Sequence, residues 1–138
     1  DQQIGGITAA GFPGFCFGII AGGLVCDRLG YRLLIVAAFV LHLLSAVTSF
    51  ATSASDADWS YRVLYWSTFV FGLANGTLEA VANPLVATLF PQRRMHYLNI
   101  LHASWPAGLI IGGLLTYFLG ATVEWKVLLA LFLVPMLF

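Results

Sequence analysis

Residues 63–92 read VLYWSTFVFGLANGTLEAVANPLVATLFPQ, thirty positions in which Glu79 is the only charge. The run exceeds the roughly 20 apolar residues that cross a bilayer as a helix. A carboxylate inside such a run costs about 2.5–3.5 kcal/mol on insertion scales, so it normally faces a protein interior or a watery cavity. The stretch therefore predicts a membrane-spanning helix with a functional carboxyl within it.

The rest of the chain has the same character. It is 60% hydrophobic and 9% charged, where soluble domains carry about 25% charged residues. Mean hydropathy is +0.92. Apart from the terminal Asp1, the other charges gather in clusters: Asp27, Arg28 and Arg32; Asp56, Asp58 and Arg62; Arg93 and Arg94; Glu124 and Lys126. The apolar gaps predict helices over about 4–26, 33–54, 62–90 and 98–121, and a fifth over 125–138 that is too short to span. The expected fold is an all-α, polytopic transmembrane bundle forming one domain.

Four of the six basic residues, Arg28, Arg32, Arg93 and Arg94, fall between the first and second and between the third and fourth segments. The positive-inside rule places those loops in the cytoplasm. Residue 1 then lies outside, which predicts at least one further helix upstream, in a multi-pass protein of the cell (inner) membrane. Net charge is zero, and the few basic residues argue against a nucleic-acid partner. Cys16 and Cys26 lie about 15 Å apart on one helix, beyond the roughly 7 Å that a disulfide spans. Two free, buried thiols are expected, with no metal site and no cofactor.

Gly14, Gly18 and Gly22 recur at every fourth position, as do Gly72 and Gly76, and Gly108 and Gly112. Small residues at this spacing let helices approach closely in lipid, where apolar burial supplies little drive. His42, Ser45 and Ser49 share a face and are expected to bond neighbouring helices.

Asn75, Glu79 and Asn83 are spaced by four and span an arc of about 80°. They form a polar stripe about 12 Å long. Glu79 lies about 26 Å from Arg62 and about 21 Å from Arg93 on a straight helix, near the bilayer midplane. Pro84 cannot donate to the carbonyl of Ala80, which adds a polar group beside the stripe. On the fourth segment Asn99, His102 and Pro106 share a face, with Trp105 about 60° further round. Amides, an imidazole and an indole near a carboxyl suit a polyhydroxylated solute, so Asn75, Asn83, Asn99, His102 and Trp105 are candidate binding residues. Each also has a purely structural reading, as a helix-to-helix hydrogen bond or as packing.

Residues 23–32 read GLVCDRLGYR. Gly30 suits a sharp turn between helices, and the charges set topology by themselves. The spacing of Gly23, Asp27, Arg28, Gly30 and Arg32 also resembles the G-x-x-x-D-R-x-G-x-R signature of the major facilitator superfamily. There it joins the second and third helices and forms a cytoplasmic latch, so the resemblance makes these five gating residues. The run F-G-L-A-N-G-T-L-E-A-V-A-N-P resembles the fourth helix of the fucose permease and glucose/galactose branch, through Leu78, Glu79, Asn83 and Pro84. Leu98 and Asn99 resemble the start of its fifth helix. The resemblance implies helices two to six of twelve, within the N-terminal six-helix half. It also implies a role for Glu79 in sugar binding and proton coupling.

The expected function is secondary transport of a sugar or related small polar solute with protons, by alternating access. Its partners would be that solute, protons, the bilayer and the remaining helices. An uncoupled facilitator, a carrier of another metabolite and a non-transporting sensor on the same scaffold are the alternatives. An enzyme is not expected, because G-x-S-x-G, H-E-x-x-H and paired intramembrane aspartates are all missing from the sequence.

Overall fold

The computed structural model describes residues 2–52 and 56–131, and these contain helices and turns but no strand. The helices are α1 (Gln2–Ser49), α2 (Ala57–Leu89), α3 (Arg94–Leu119) and α4 (Trp125–Ala130). A straight helix as long as α1 would measure about 72 Å, over twice the roughly 30 Å hydrocarbon core. It does not run straight. Gly30 takes φ 77°, ψ 159° and divides it into arms of residues 2–29 and 31–49. A β-carbon disfavours that conformation, so the glycine makes the bend. The first two expected segments therefore meet at one residue, without a loop.

The chain forms two compact units, residues 1–82 and 83–138. In the first, the arm 2–29 runs parallel to α2. Gly6 lies by Tyr61, Gly14 by Phe69, Gly18 by Leu73 and Thr77, and Gly22 by Ala80. The contact interlocks: a methyl on Gly14 or Gly18 would strike the carbonyl of Phe69 or Leu73, and one on Gly72 or Gly76 would strike that of Gly11 or Phe15. The arm 31–49 runs antiparallel to α2, from Ser45 Oγ donating to the Ser67 carbonyl at 2.7 Å to Leu34 packing with Val81. That one hydrogen bond contributes about 0.6–2 kcal/mol. Cys26, Leu34 and Val81 form the core of this unit, flanked by Val25 and Tyr31.

Several expectations are corrected. Ser45 reaches another helix, but Ser49 bonds Ser45 of its own helix, because the carbonyl of the preceding turn is the nearest acceptor. His42 Nδ1 lies 2.8 Å from the Ala38 carbonyl. Cys26 is buried but Cys16 is exposed, and both are free thiols. Cys16 stands about 200° round the helix from Gly14, away from the packed strip. Helix α2 begins at Ala57, not Arg62, because Asp56 Oδ1 accepts from the Trp59 backbone N–H at 2.9 Å. This is an N-cap, so Asp58 and Arg62 lie within the helix. The end of the expected 33–54 helix and residues 132–138 of the fifth fall partly or wholly outside the described residues.

In the second unit α3 starts at Arg94 and ends at Leu119, a little before the expected bounds. Phe90 stacks on Tyr97 with centroids 3.8 Å apart. A β-carbon on Gly108 or Gly112 would meet nothing within 4 Å. Their spacing permits close packing but does not by itself supply a partner.

Gly76→Val should lower the thermal midpoint of the detergent-solubilised protein by several degrees, since overpacking costs about 1–3 kcal/mol and a backbone carbonyl cannot rotate aside. Gly112→Val should shift it far less. Equal midpoints for the two variants would show that the interlocked contact is not what holds this unit.

Candidate functional site

The first arm meets Tyr61, Thr68, Phe69, Gly72, Leu73, Gly76, Thr77 and Ala80. The second meets Ser67, Phe71 and Val81. At 100° per residue, Asn75 and Glu79 stand about 40° apart on one side of α2, and both are half-buried.

Asn75 is held in place by its own helix: Nδ2 donates to the Phe71 carbonyl at 2.9 Å. That leaves the Asn75 oxygen as the group suited to accept a hydrogen from a solute. Glu79 lies beside Ala80, which faces Gly22. It is also two residues before Val81, which is 0% exposed against Cys26 and Leu34. The level of Glu79 along the first arm is thus near Gly22, about 12 Å of helix from Gly30. Glu79 therefore lies toward the bend end of this contact.

The turn signature sits at the same end of this unit. Asp27, Arg28 and Arg32 are exposed around the bend. Among the described residues Gly30 alone has a positive φ, whereas a β-carbon on Gly23 would meet nothing within 4 Å. Tyr31 folds back onto the Cys26, Leu34 and Val81 core.

The remaining candidates belong to the second unit. Asn83 is half-buried, with its side-chain oxygen fully enclosed. Pro84 is accommodated inside α2. Asn99, His102 and Trp105 occupy one side of α3 and are exposed, Trp105 by 71%. The structure thus brings Asn75 and Glu79 together beside the bend, while Asn99, His102 and Trp105 keep company on their own helix.

The family model of the Major Facilitator Superfamily matches residues 1–138. The chain belongs to the major facilitator superfamily. It is 27% identical over 132 residues to a provisionally named niacin/nicotinamide transporter, NiaP, of Bacillus subtilis (strain 168), covering 94% of this chain and 30% of that protein. It is 29% identical over 137 residues to the cis,cis-muconate transport protein of Acinetobacter baylyi (strain ATCC 33305 / BD413 / ADP1), covering 98% of this chain and 31% of that one. The chain spans under a third of the length of these two curated relatives. No solved structure matches it. Membership settles the architecture as a part of an all-α transmembrane bundle. Both relatives are named as transport proteins. Neither relative is named for a hexose.

Gly30→Ala should cost about 1–3 kcal/mol, because its φ of 77° strains any residue with a β-carbon. Gly23→Ala, in open space, should be close to neutral. Thermal unfolding of both variants in detergent checks the pair; a neutral Gly30→Ala would show that the bend does not depend on glycine.

Proposed function

We propose that this chain forms part of a secondary transporter that moves a small polar organic solute together with protons by alternating access. The observation that carries the reading is the Glu79 carboxyl. It is half-buried, within a long apolar run, on the side of α2 that also carries Asn75. Polar groups so placed in a span mark solute or proton pathways.

The coupling follows from electrostatics. An ionised carboxyl is costly in an apolar surround, by about 2.5–3.5 kcal/mol on insertion scales, whereas a protonated one is not. Reorientation of the loaded site is then easiest with the proton on Glu79. The solute binds beside it, accepting from the protonated carboxyl and donating to Asn75. When the site opens to the other side, Glu79 gives its proton to water and the solute leaves. Asn83, Asn99, His102 and Trp105, on the second unit, are further candidate solute-binding residues of the full-length protein. Gly23, Asp27, Arg28, Gly30 and Arg32 would form the gate at the bend, on the cytoplasmic side of a multi-pass cell-membrane protein.

Two solute classes fit. The relatives named for niacin/nicotinamide and for muconate favour organic acids and amides. A carboxylate solute would be repelled by ionised Glu79, which would itself link release to proton loss. The amides, the imidazole and the Trp105 ring favour the second class, sugars.

Proteoliposomes carrying the full-length protein should show solute-driven proton uptake with one member of a panel of sugars, aromatic acids, dicarboxylic acids and their amides. Glu79→Gln should abolish accumulation against a gradient while sparing solute exchange. A variant that still accumulates solute would remove Glu79 from the coupling. Solute flux without proton movement would make the protein a facilitator.

A further inference from the structure

The arm 31–49 and α2 leave a groove between them at the end away from the bend. It measures about 300 Å³ and is lined by Leu44 and Thr48 of the arm and by Val63 and Val70 of α2, with Trp59, Trp66 and Arg62 along it. The lining is almost wholly apolar, since the Thr48 hydroxyl turns back to the Leu44 and Ser45 carbonyls at 2.8 and 2.9 Å. Both indoles are more than half exposed, and Trp59 is fixed by Nε1 donating to the Ala51 carbonyl at 3.2 Å. Arg62 is exposed. Among the described residues no hydrogen bond or ion pair engages its guanidinium. The register gives the height of the groove. Ser45, which bonds Ser67, lies about 22 Å of helix from Gly30, and Arg62 stands about 8 Å beyond Ser67. Arg62 is thus about 30 Å from the charged bend, and the hydrocarbon core of a bilayer is about 30 Å thick. With the bend at one membrane surface, Arg62 and Trp59 reach the other, where tryptophan is enriched. At 100° per residue, Trp66 and Val70 each stand about 160° round α2 from the middle of the Asn75 and Glu79 pair. A pair that faces the solute turns this groove toward the bilayer.

We propose that the groove holds a phospholipid with an amino headgroup: an acyl chain lies between the arm and α2, the phosphate meets Arg62 and the ammonium lies by Asp58. The inference goes beyond the transport reading and takes from it only the side of α2 that faces the solute. Charge complementarity selects the lipid. A guanidinium presents paired N–H donors that match phosphate oxygens. Asp58 stands one turn nearer the end of α2 and about 40° round from Arg62. With Asp56 beside it, this end of α2 carries more negative than positive charge. Such an end repels a lipid of net negative charge and suits one whose phosphate is balanced by its own ammonium. A free phosphate would meet Arg62 but leave the apolar groove unused.

The test is native mass spectrometry of the full-length protein in detergent, titrated with phosphatidylethanolamine or with phosphatidylglycerol of the same acyl chains. The wild type should retain phosphatidylethanolamine in preference. Arg62→Gln should weaken that binding about 3- to 10-fold, the range of a charge-assisted contact in a half-open site. Asp58→Asn should narrow the preference between the two lipids. Val70→Trp, which fills the groove, should weaken both. Should Val70→Trp fail to fold, the exposed Arg62→Gln carries the test. Equal affinity of the wild type for the two lipids would overturn the assignment, and so would unchanged binding in Arg62→Gln. A wild type that retains neither lipid would show the groove covered by another part of the full-length protein and overturn the proposal, whatever solute uptake in proteoliposomes shows. Phosphatidylethanolamine retained by the wild type and lost in Arg62→Gln, without uptake of any solute, would uphold the lipid site and overturn the transport reading alone.

Discussion

The first unit depends on backbone meeting backbone between the arm 2–29 and α2. Gly14 and Gly18 seat against the carbonyls of Phe69 and Leu73, and Gly72 and Gly76 against those of Gly11 and Phe15. Helices gain little in lipid by hiding apolar side chains from one another, so close van der Waals approach has to supply the attraction. Two facing rows of glycine provide it and fix the parallel register. That register decides the height of everything else on α2. The antiparallel arm 31–49 adds the Ser45 hydrogen bond and alanines at positions 38 and 46 that are nearly fully buried. Small side chains are thus the rule at both contacts, and Val81 is the exception, as the largest fully buried side chain.

Much of this was legible in the residue order. The fourfold glycine spacing foretold the close contact, because a glycine face has one plausible use in a spanning helix. Gly30 foretold the break, and charges spaced by long apolar runs foretold the helices. The Asn75 and Glu79 pair stands on one side of α2 as a 3.6-residue repeat requires. What was not legible depended on partners. Cys16 and Cys26 look alike in sequence, yet only Cys26 falls on the packed side. Gly108 and Gly112 repeat the pattern of Gly14 and Gly18 but meet no neighbour in the described residues. Asp56 reads as a loop charge until its carboxylate is seen capping α2, and that cap adds length the charge pattern hid.

The height of Glu79 shows the same limit more sharply. Distances along one helix to Arg62 and Arg93 do not say which residues stand beside Glu79. With Ala80 against Gly22 and Val81 against Cys26 and Leu34, the carboxyl stands near the bend that carries Asp27 and Arg28. The motif read as a gate and the carboxyl read as a coupling group, separated widely in sequence, rest on one small core.

That proximity constrains how the two can move. Over two residues a helix is rigid, so a displacement of α2 at Glu79 carries Val81 with it. Val81 is fully enclosed by Cys26 and Leu34, and protein interiors at native density do not absorb such shifts locally. Cys26 adjoins Asp27, and Tyr31 lies on the same core directly after Gly30. Motion at the carboxyl therefore reaches the bend through contacts of one or two side chains. The Gly30 conformation, which a residue with a β-carbon would resist, marks where the first arm and the second can change their angle. The polar stripe and the turn of this segment of a major facilitator protein thus share one core.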